Sequence, residues 1–266
     1  MRYLSLFSGI GGFDLGADRA GWECAGQCEI DETASSVLAK HWPDVRRWRD
    51  IRDVTAQEVG YVDCIAGGFP CQDISIAGAG VGLSGSRSGL WFEMFRLVCD
   101  IRPRYVIVEN VSALLHRGLG TVLGNLASIG FDAEWDVLPL CAFGAPHSRE
   151  RVFLIAYPNE MGCRLGRDRV ANAARCDHWK ATQGQREWSD VERWLRASFK
   201  DSDGPGSLAA PAGMVDGIPA ELDKRRIAEC GMFGNAISPV VAEFVCNRVN
   251  AIEAEIESAR EAVAPC

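Results

Sequence analysis

The sequence predicts an α/β fold, a mostly parallel sheet with an antiparallel edge and a small insert, on three observations. Short apolar runs alternate with helix-length stretches through the first half, a glycine turn follows the first run, and two later runs succeed one another with no helix between them. Strands separated by helix-length segments imply right-handed crossovers and parallel pairing, whereas strands joined directly imply an antiparallel pair.

In chain order, Tyr3 to Phe7 is the first strand and Gly12 to Gly21 its helix, and Ala25 to Glu29 with Glu32 to His41 repeats the unit. Val62 to Ala66 is followed by Leu90 to Ile101, and Tyr105 to Val108 by Thr121 to Gly130. Phe131 to Leu138 and Arg151 to Tyr157 form the antiparallel edge. Residues 158–215 are rich in Gly, Arg, Trp and Ala with poor periodicity, and Gly204-Pro205-Gly206 reads as irregular chain, so this stretch is expected to be a separate insert between a main domain at 1–157 and a returning segment at 216–266. Val240 to Ala262 is amphipathic and free of proline, which predicts a closing helix packed on the sheet.

A chain of 266 residues that is 47% hydrophobic and 24% charged buries a full-sized core. It contains no run near the roughly 20 apolar residues of a membrane span, and Arg2 precedes a strand-like run rather than a leader. The expectation is a cytoplasmic protein without a membrane partner. Eleven cysteines, an odd number in a long chain, are expected to be free thiols; Cys64, Cys99, Cys141 and Cys246 read as small buried hydrophobes. The net charge of −8 weighs against a polyanion partner, but residues 146–200 hold eleven Arg and Lys against seven Asp and Glu, so the positive charge is concentrated there.

Four segments carry chemistry. Phe7-Ser8-Gly9-Ile10-Gly11-Gly12 is a glycine turn at the carboxyl end of the first strand, where open α/β sheets bind ligands; Asp14 breaks the G-x-G-x-x-G pattern, which favours an adenosine ligand without phosphates over a dinucleotide. Such a turn also serves as a plain strand-to-helix connection. Glu29 closes the second strand about 20 residues on, where a carboxylate reaches both ribose hydroxyls or simply stands in water. Gly67-Gly68-Phe69-Pro70-Cys71-Gln72 presents a cysteine on a turn at a strand end. Tyr105 to Val108 leads to Glu109, at the tip of a neighbouring strand.

The series Phe7 to Gly12, Pro70-Cys71-Gln72, Glu109-Asn110-Val111, Arg149-Glu150-Arg151 and Gly234 to Pro239 resembles, in order and spacing, the motif set of the DNA cytosine-5 methyltransferases, over residues 1–157 and about 214–250. The resemblance implies a Rossmann-like S-adenosylmethionine-dependent methyltransferase fold, with residues 158–215 as a target recognition region. It also implies methyl transfer to C5 of a cytosine in double-stranded DNA. C5 of cytosine is a poor nucleophile until a thiolate adds at C6, the part assigned to Cys71. Glu109 would hold N3 and the exocyclic amine as a proton donor, with a raised pKa. Arg151 would pair with the ring carbonyl, and Arg149 would brace the loop or the DNA backbone. The family often has Gln where this chain has His147.

By the same resemblance, Phe7, Gly9, Gly11 and Gly12 would surround the methionine part of S-adenosylmethionine, Glu29 the ribose, Ile30 the adenine ring, and Asp50 and Ile51 the adenine amine. Phe69, Pro70, Leu90, Asn235 and Ile237 would complete the pocket; Ile30, Ile51, Leu90 and Ile237 are equally suited to core packing. The base must leave its helix. Gln72 to Gly89 is suited to closing over it, with Gln72 and Arg87 on DNA. Arg164, Arg167 and Arg169 supply phosphate contacts in the insert.

Cys163, Cys176 and His178 lack zinc-site spacing, so no metal is expected. A bacterial or phage-encoded monomer is expected, and a restriction endonuclease acting at the same site is a partner the resemblance allows. Two alternatives stay open: a tRNA cytosine-5 methyltransferase built on the same motifs, and a catalytically silent DNA-binding relative. The Asp/Asn-Pro-Pro-Tyr/Phe tetrad of amino-methyltransferases is absent.

Overall fold

The computed structural model describes residues 1–70, 89–143, 145, 148–159 and 236–263, with side chains to residue 258. Its centre is a seven-stranded sheet in the order β3-β2-β1-β4-β5-β7-β6. The strands are β1 (Arg2–Leu6), β2 (Glu23–Cys28), β3 (Arg47–Trp48), β4 (Cys64–Gly67), β5 (Tyr105–Val111), β6 (Phe131–Pro139) and β7 (Glu150–Pro158). The first five run parallel, while β7 pairs antiparallel with both β5 and β6. This is the predicted α/β architecture with its antiparallel edge.

Alternation along the central strands sorts side chains onto two faces. Leu4, Leu6, Ile65, Val106 and Val108 point to one layer, where α4 (Leu90–Ile101) supplies Trp91, Met94, Leu97 and Val98, and α6 (Leu119–Ser128) supplies Val122 and Leu126. Tyr3, Cys64, Ala66, Tyr105 and Ile107 point to the other, covered by α1 (Gly12–Arg19) and the long closing helix α7 (Pro239–Val263). The α1–α7 contact is backbone-close: a Cβ at Gly16 would lie 2.5 Å from the Pro239 carbonyl oxygen and 2.6 Å from Ala242 Cβ. Short elements complete the description: α2 (Glu32–His41), a 3₁₀ turn at Ile51–Asp53, α3 (Ala56–Val59) and α5 (Leu114–Arg117).

Three details depart from the sequence expectation. The fifth strand does not stop at Val108 but continues to Val111, because β7 pairs with it as far as Arg151. The two-residue β3 is too short to show a period. Cys141 is exposed, on a 3₁₀ turn at Leu140–Phe143, and Cys99 is half-buried, so only Cys64 and Cys246 of the four are the buried hydrophobes expected. Among the described residues no helix is long and apolar enough to cross a membrane.

Candidate active site

The carboxyl ends of β1, β2, β4 and β5 open onto one cleft of about 970 Å³. At the β1 end the backbone enters the left-handed region at Phe7 (φ 54°) and Gly9 (φ 56°). For a bulky residue such as Phe7 that conformation costs about 1–3 kcal/mol and persists only where the surroundings enforce it. Here Ser8 N–H donates to Cys28 O (3.1 Å), and Gly9 N–H donates to Glu29 Oε2 (2.7 Å), fastening the turn to the tip of β2. Glu29 Oε1 accepts the N–H of Asp31 (2.8 Å). Each oxygen keeps lone-pair capacity for a ligand hydroxyl.

Of the residues expected around the cofactor, Phe7, Gly9, Glu29, Ile30, Asp50, Ile51, Phe69, Pro70 and Leu90 line this cleft. Ile30 is 68% exposed, an apolar side chain open to a ligand rather than used in the core, whereas Ile51 is buried. Asp50 caps the 3₁₀ turn, accepting from Arg52 N (2.9 Å) and pairing with Arg52 Nη1 (3.0 Å). Gly11, Gly12 and Ile237 are not among the lining residues. A Cβ at Gly11 would meet the Trp42 ring at 2.4 Å, and one at Gly12 would meet the Ile237 carbonyl oxygen at 2.0 Å. These two glycines let α2 and the segment before α7 approach the turn closely.

Across the cleft, Glu109 lies within β5, opposite Phe153 of β7, and is 7% exposed. Its carboxylate packs over Gly68, where a Cβ would come within 2.7 Å of Oε2. Arg151 Nε stands 3.0 Å from Oε1 as an ion pair, although Oε1 has no aligned hydrogen bond among the described residues. Burial pushes the Glu109 carboxyl up from 4.5 to about 7, even though Arg151 and Arg149 pull it the other way. Asn110 donates through Nδ2 to Phe69 O (2.9 Å), tying β5 to the residue two before Cys71. Arg149 does not line the cleft; its Nη2 donates to Ala236 O (2.9 Å), and burial with Arg151 nearby pushes its guanidinium down to about 10.

Cys71, Gln72, Arg87, His147, Cys163, Arg164, Arg167, Arg169, Cys176, His178 and Asn235 lie outside the described residues. Sequence reasoning quoted Gly68 and Asn110 within their motifs without giving them a role, and passed over Arg49, Ala113 and Arg117, all of which are site features. The double glycine before Phe69 was the available signal for Gly68. Arg117 offered only its four-residue spacing from Ala113, just past the Glu109 segment. Among the described residues no group of His, Cys, Asp and Glu side chains is arranged to hold a metal.

The profile of the C-5 cytosine-specific DNA methylases matches residues 1–196. The chain belongs to that family. Among its relatives, the type II methyltransferase M2.BsuMI of Bacillus subtilis (strain 168) is 38% identical over 164 residues, covering 59% of this chain and 42% of the relative. The type II methyltransferase M.HhaI of Haemophilus parahaemolyticus is 30% identical over 165 residues, 60% of this chain and 50% of the relative. In both comparisons the match spans half or less of the relative's length. A solved protein assigned as a DNA modification methyltransferase encoded within a prophage (E. coli) superposes with a TM-score of 0.52 at 28% identity, covering 60% of this chain and 47% of that one. S. pombe Dnmt2, at TM-score 0.53 and 21% identity, covers 60% of this chain and 51% of its own and shares the fold.

The C5 methylase family uses S-adenosylmethionine, and the β2 side of the cleft fits it. Glu29 offers a carboxylate to a ribose diol, and the exposed Ile30 offers apolar surface to a flat ring, with the core residue Ile51 beneath the same cleft. The arginine on that side, Arg49, is already committed to Ile30 O (2.6 Å) and Glu32 (3.6 Å), which suits a nucleoside without phosphates.

Proposed function

We propose that this chain transfers a methyl group from S-adenosylmethionine to C5 of a specific cytosine in double-stranded DNA. The observation that carries the reading is Glu109: a carboxyl buried near the end of β5 and pushed up to about 7, in the same cleft as a carboxylate suited to a ribose. A carboxyl of this kind is still protonated in a large share of molecules at neutral pH and can donate that proton to a ring nitrogen.

Glu29, Ile30, Ile51 and the Phe7–Gly9 backbone would hold S-adenosylmethionine, which would supply an electrophilic methyl at the cleft. The rest of the chemistry is done by the chain. The Cys71 thiolate bonds to C6 of the extruded cytosine, the C5–C6 double bond opens, and its electron pair becomes available at C5. Glu109 donates its proton to N3, so the ring does not accumulate negative charge, and Arg151 steadies the ring carbonyl and the Glu109 carboxylate left behind. The C5 electron pair would take the methyl carbon as its bond to the sulfonium sulfur breaks, leaving a neutral thioether; loss of the C5 proton to solvent base and departure of the Cys71 thiolate restore the C5–C6 double bond, and N3 returns its proton to the Glu109 carboxylate. Residues 158–215 are assigned target recognition, with Arg164, Arg167 and Arg169 on phosphates.

The test is methyl transfer from tritiated S-adenosylmethionine to unmethylated duplex DNA and, in parallel, to transfer RNA. Incorporation into duplex DNA, lost in Cys71→Ala while cofactor binding is kept, supports the reading, and a covalent complex with 5-fluorocytosine DNA supports the thiolate step. Incorporation into transfer RNA alone would replace the substrate, and none into either would overturn the activity.

A further inference from the structure

Among the described residues lining the cleft, one charged side chain has no assigned job. Arg117, at the end of α5, lines it together with Ala113, one helical turn earlier on the same face. Arg49, Asp50, Glu29 and Arg151, which also line the cleft, each have a partner within the fold. Arg117 is exposed, and its guanidinium has no partner among the described residues. Its backbone, in contrast, is fixed. Arg117 N–H donates to Ala113 O (3.1 Å), Gly118 N–H donates to Leu114 O (3.1 Å), and the buried Leu114 and Leu119 anchor the turn on either side.

We infer that Arg117 binds a phosphodiester of the target strand beside the extruded nucleotide. This rests on the duplex-DNA reading above and adds a site to it. Glu109 and Arg117 are eight residues apart in the chain, the first buried and the second exposed, and both line the cleft. A nucleotide whose base edge meets Glu109 has a phosphate on each side of its sugar, in the direction of solvent. A guanidinium held on a rigid turn, with its five donors unused, is matched to two phosphate oxygens. Ala113, which lines the same cleft, brings only a methyl group to it. Such a contact carries no sequence information and fixes register.

Arg117→Ala and Arg117→Lys are compared with the wild type for binding of mixed-sequence duplex DNA by fluorescence anisotropy across a salt series, and for methyl transfer. In Arg117→Ala the duplex dissociation constant is expected to rise about tenfold at low salt. The slope of log affinity against log salt is expected to fall by about one phosphate's worth. KM for DNA is expected to rise with kcat and S-adenosylmethionine affinity unchanged, and Arg117→Lys to keep the wild-type salt slope. An Arg117→Ala enzyme that methylates duplex DNA with wild-type KM and salt slope overturns the inference while leaving the function intact. A wild-type protein that binds and methylates no duplex DNA overturns the function itself.

Discussion

Glu29 follows the last residue of β2 and Glu109 lies two residues inside the end of β5; the two strands run parallel, three positions apart in the sheet order, and both carboxylates line one cleft. Glu29 is half-buried, and its two oxygens accept backbone N–H groups from Gly9 and Asp31. Glu109 is buried over a glycine backbone, has an arginine at 3.0 Å from one oxygen, and is pushed up to about 7. The same side chain near the carboxyl ends of two strands is thus surrounded differently: under the proposed function the first setting suits an acceptor for hydroxyl groups and the second a proton donor. Surroundings, rather than residue type, assign the task.

The sharpest way to break this contrast is Glu109→Gln. Turnover is expected to fall by about two to four orders of magnitude, the usual contribution of a positioned proton donor, with S-adenosylmethionine affinity by calorimetry unchanged. Turnover within tenfold of the wild type would remove Glu109 from proton transfer. The same variant tests the cause of the raised pKa through stability. Below 4.5 the Glu109 carboxyl is protonated in folded and unfolded chains alike; as pH rises towards about 7, the unfolded chain gives up its proton while the folded one holds it. Stability is therefore lost over that window, by about 3 kcal/mol at about 1.4 kcal/mol per pH unit. Denaturant unfolding is expected to show Glu109→Gln and wild type alike at pH 4, and the variant the more stable at pH 8. An advantage that shrinks as pH rises would contradict burial as the cause.

On the other side of the cleft, Glu29→Ala is expected to weaken S-adenosylmethionine binding by about 1–3 kcal/mol, the scale of hydrogen bonds to a charged acceptor, with duplex affinity retained. Asp31 is the smallest probe of the comparison. Its side chain caps α2 by accepting from Ala34 N (2.9 Å), while its own N–H holds Glu29. Asp31→Ala is expected to lower stability by about 1 kcal/mol through the lost cap, and its unchanged N–H should leave cofactor affinity within about twofold.

Strands were legible because β1, β4 and β5 are covered on both faces and so read as short continuous apolar runs bounded by polar or glycine-rich chain. Glu109 was legible as a strand-tip carboxylate, but its placement inside β5 was not, since the extra pairing comes from β7 through Arg151. The glycine turn shows the same limit from another side. Gly9, Gly11 and Gly12 look alike in the chain, yet Gly9 lines the cleft whereas Gly11 and Gly12 make room for Trp42 and for the Ile237 carbonyl. A residue's need for no side chain is written locally; what fills the space is decided by segments far along the chain. Arg117 left almost no trace for that reason, because only the folded connection brings it to the cleft.

The docking of α7 on α1 has a consequence for how the molecule is born. Asn250 donates to Ala20 O (3.0 Å) across 230 residues of sequence, and Trp22 Nε1 donates to Asn250 Oδ1 (2.8 Å). During synthesis on the ribosome, the apolar face of the first helix, with Phe13 and Ala17, emerges long before the surface that will cover it. Contacts of such sequence separation slow folding and leave nascent intermediates open to association. A chain truncated ahead of Pro239 should therefore need chaperone assistance, while supplying residues 236–266 in trans as a peptide should restore its solubility.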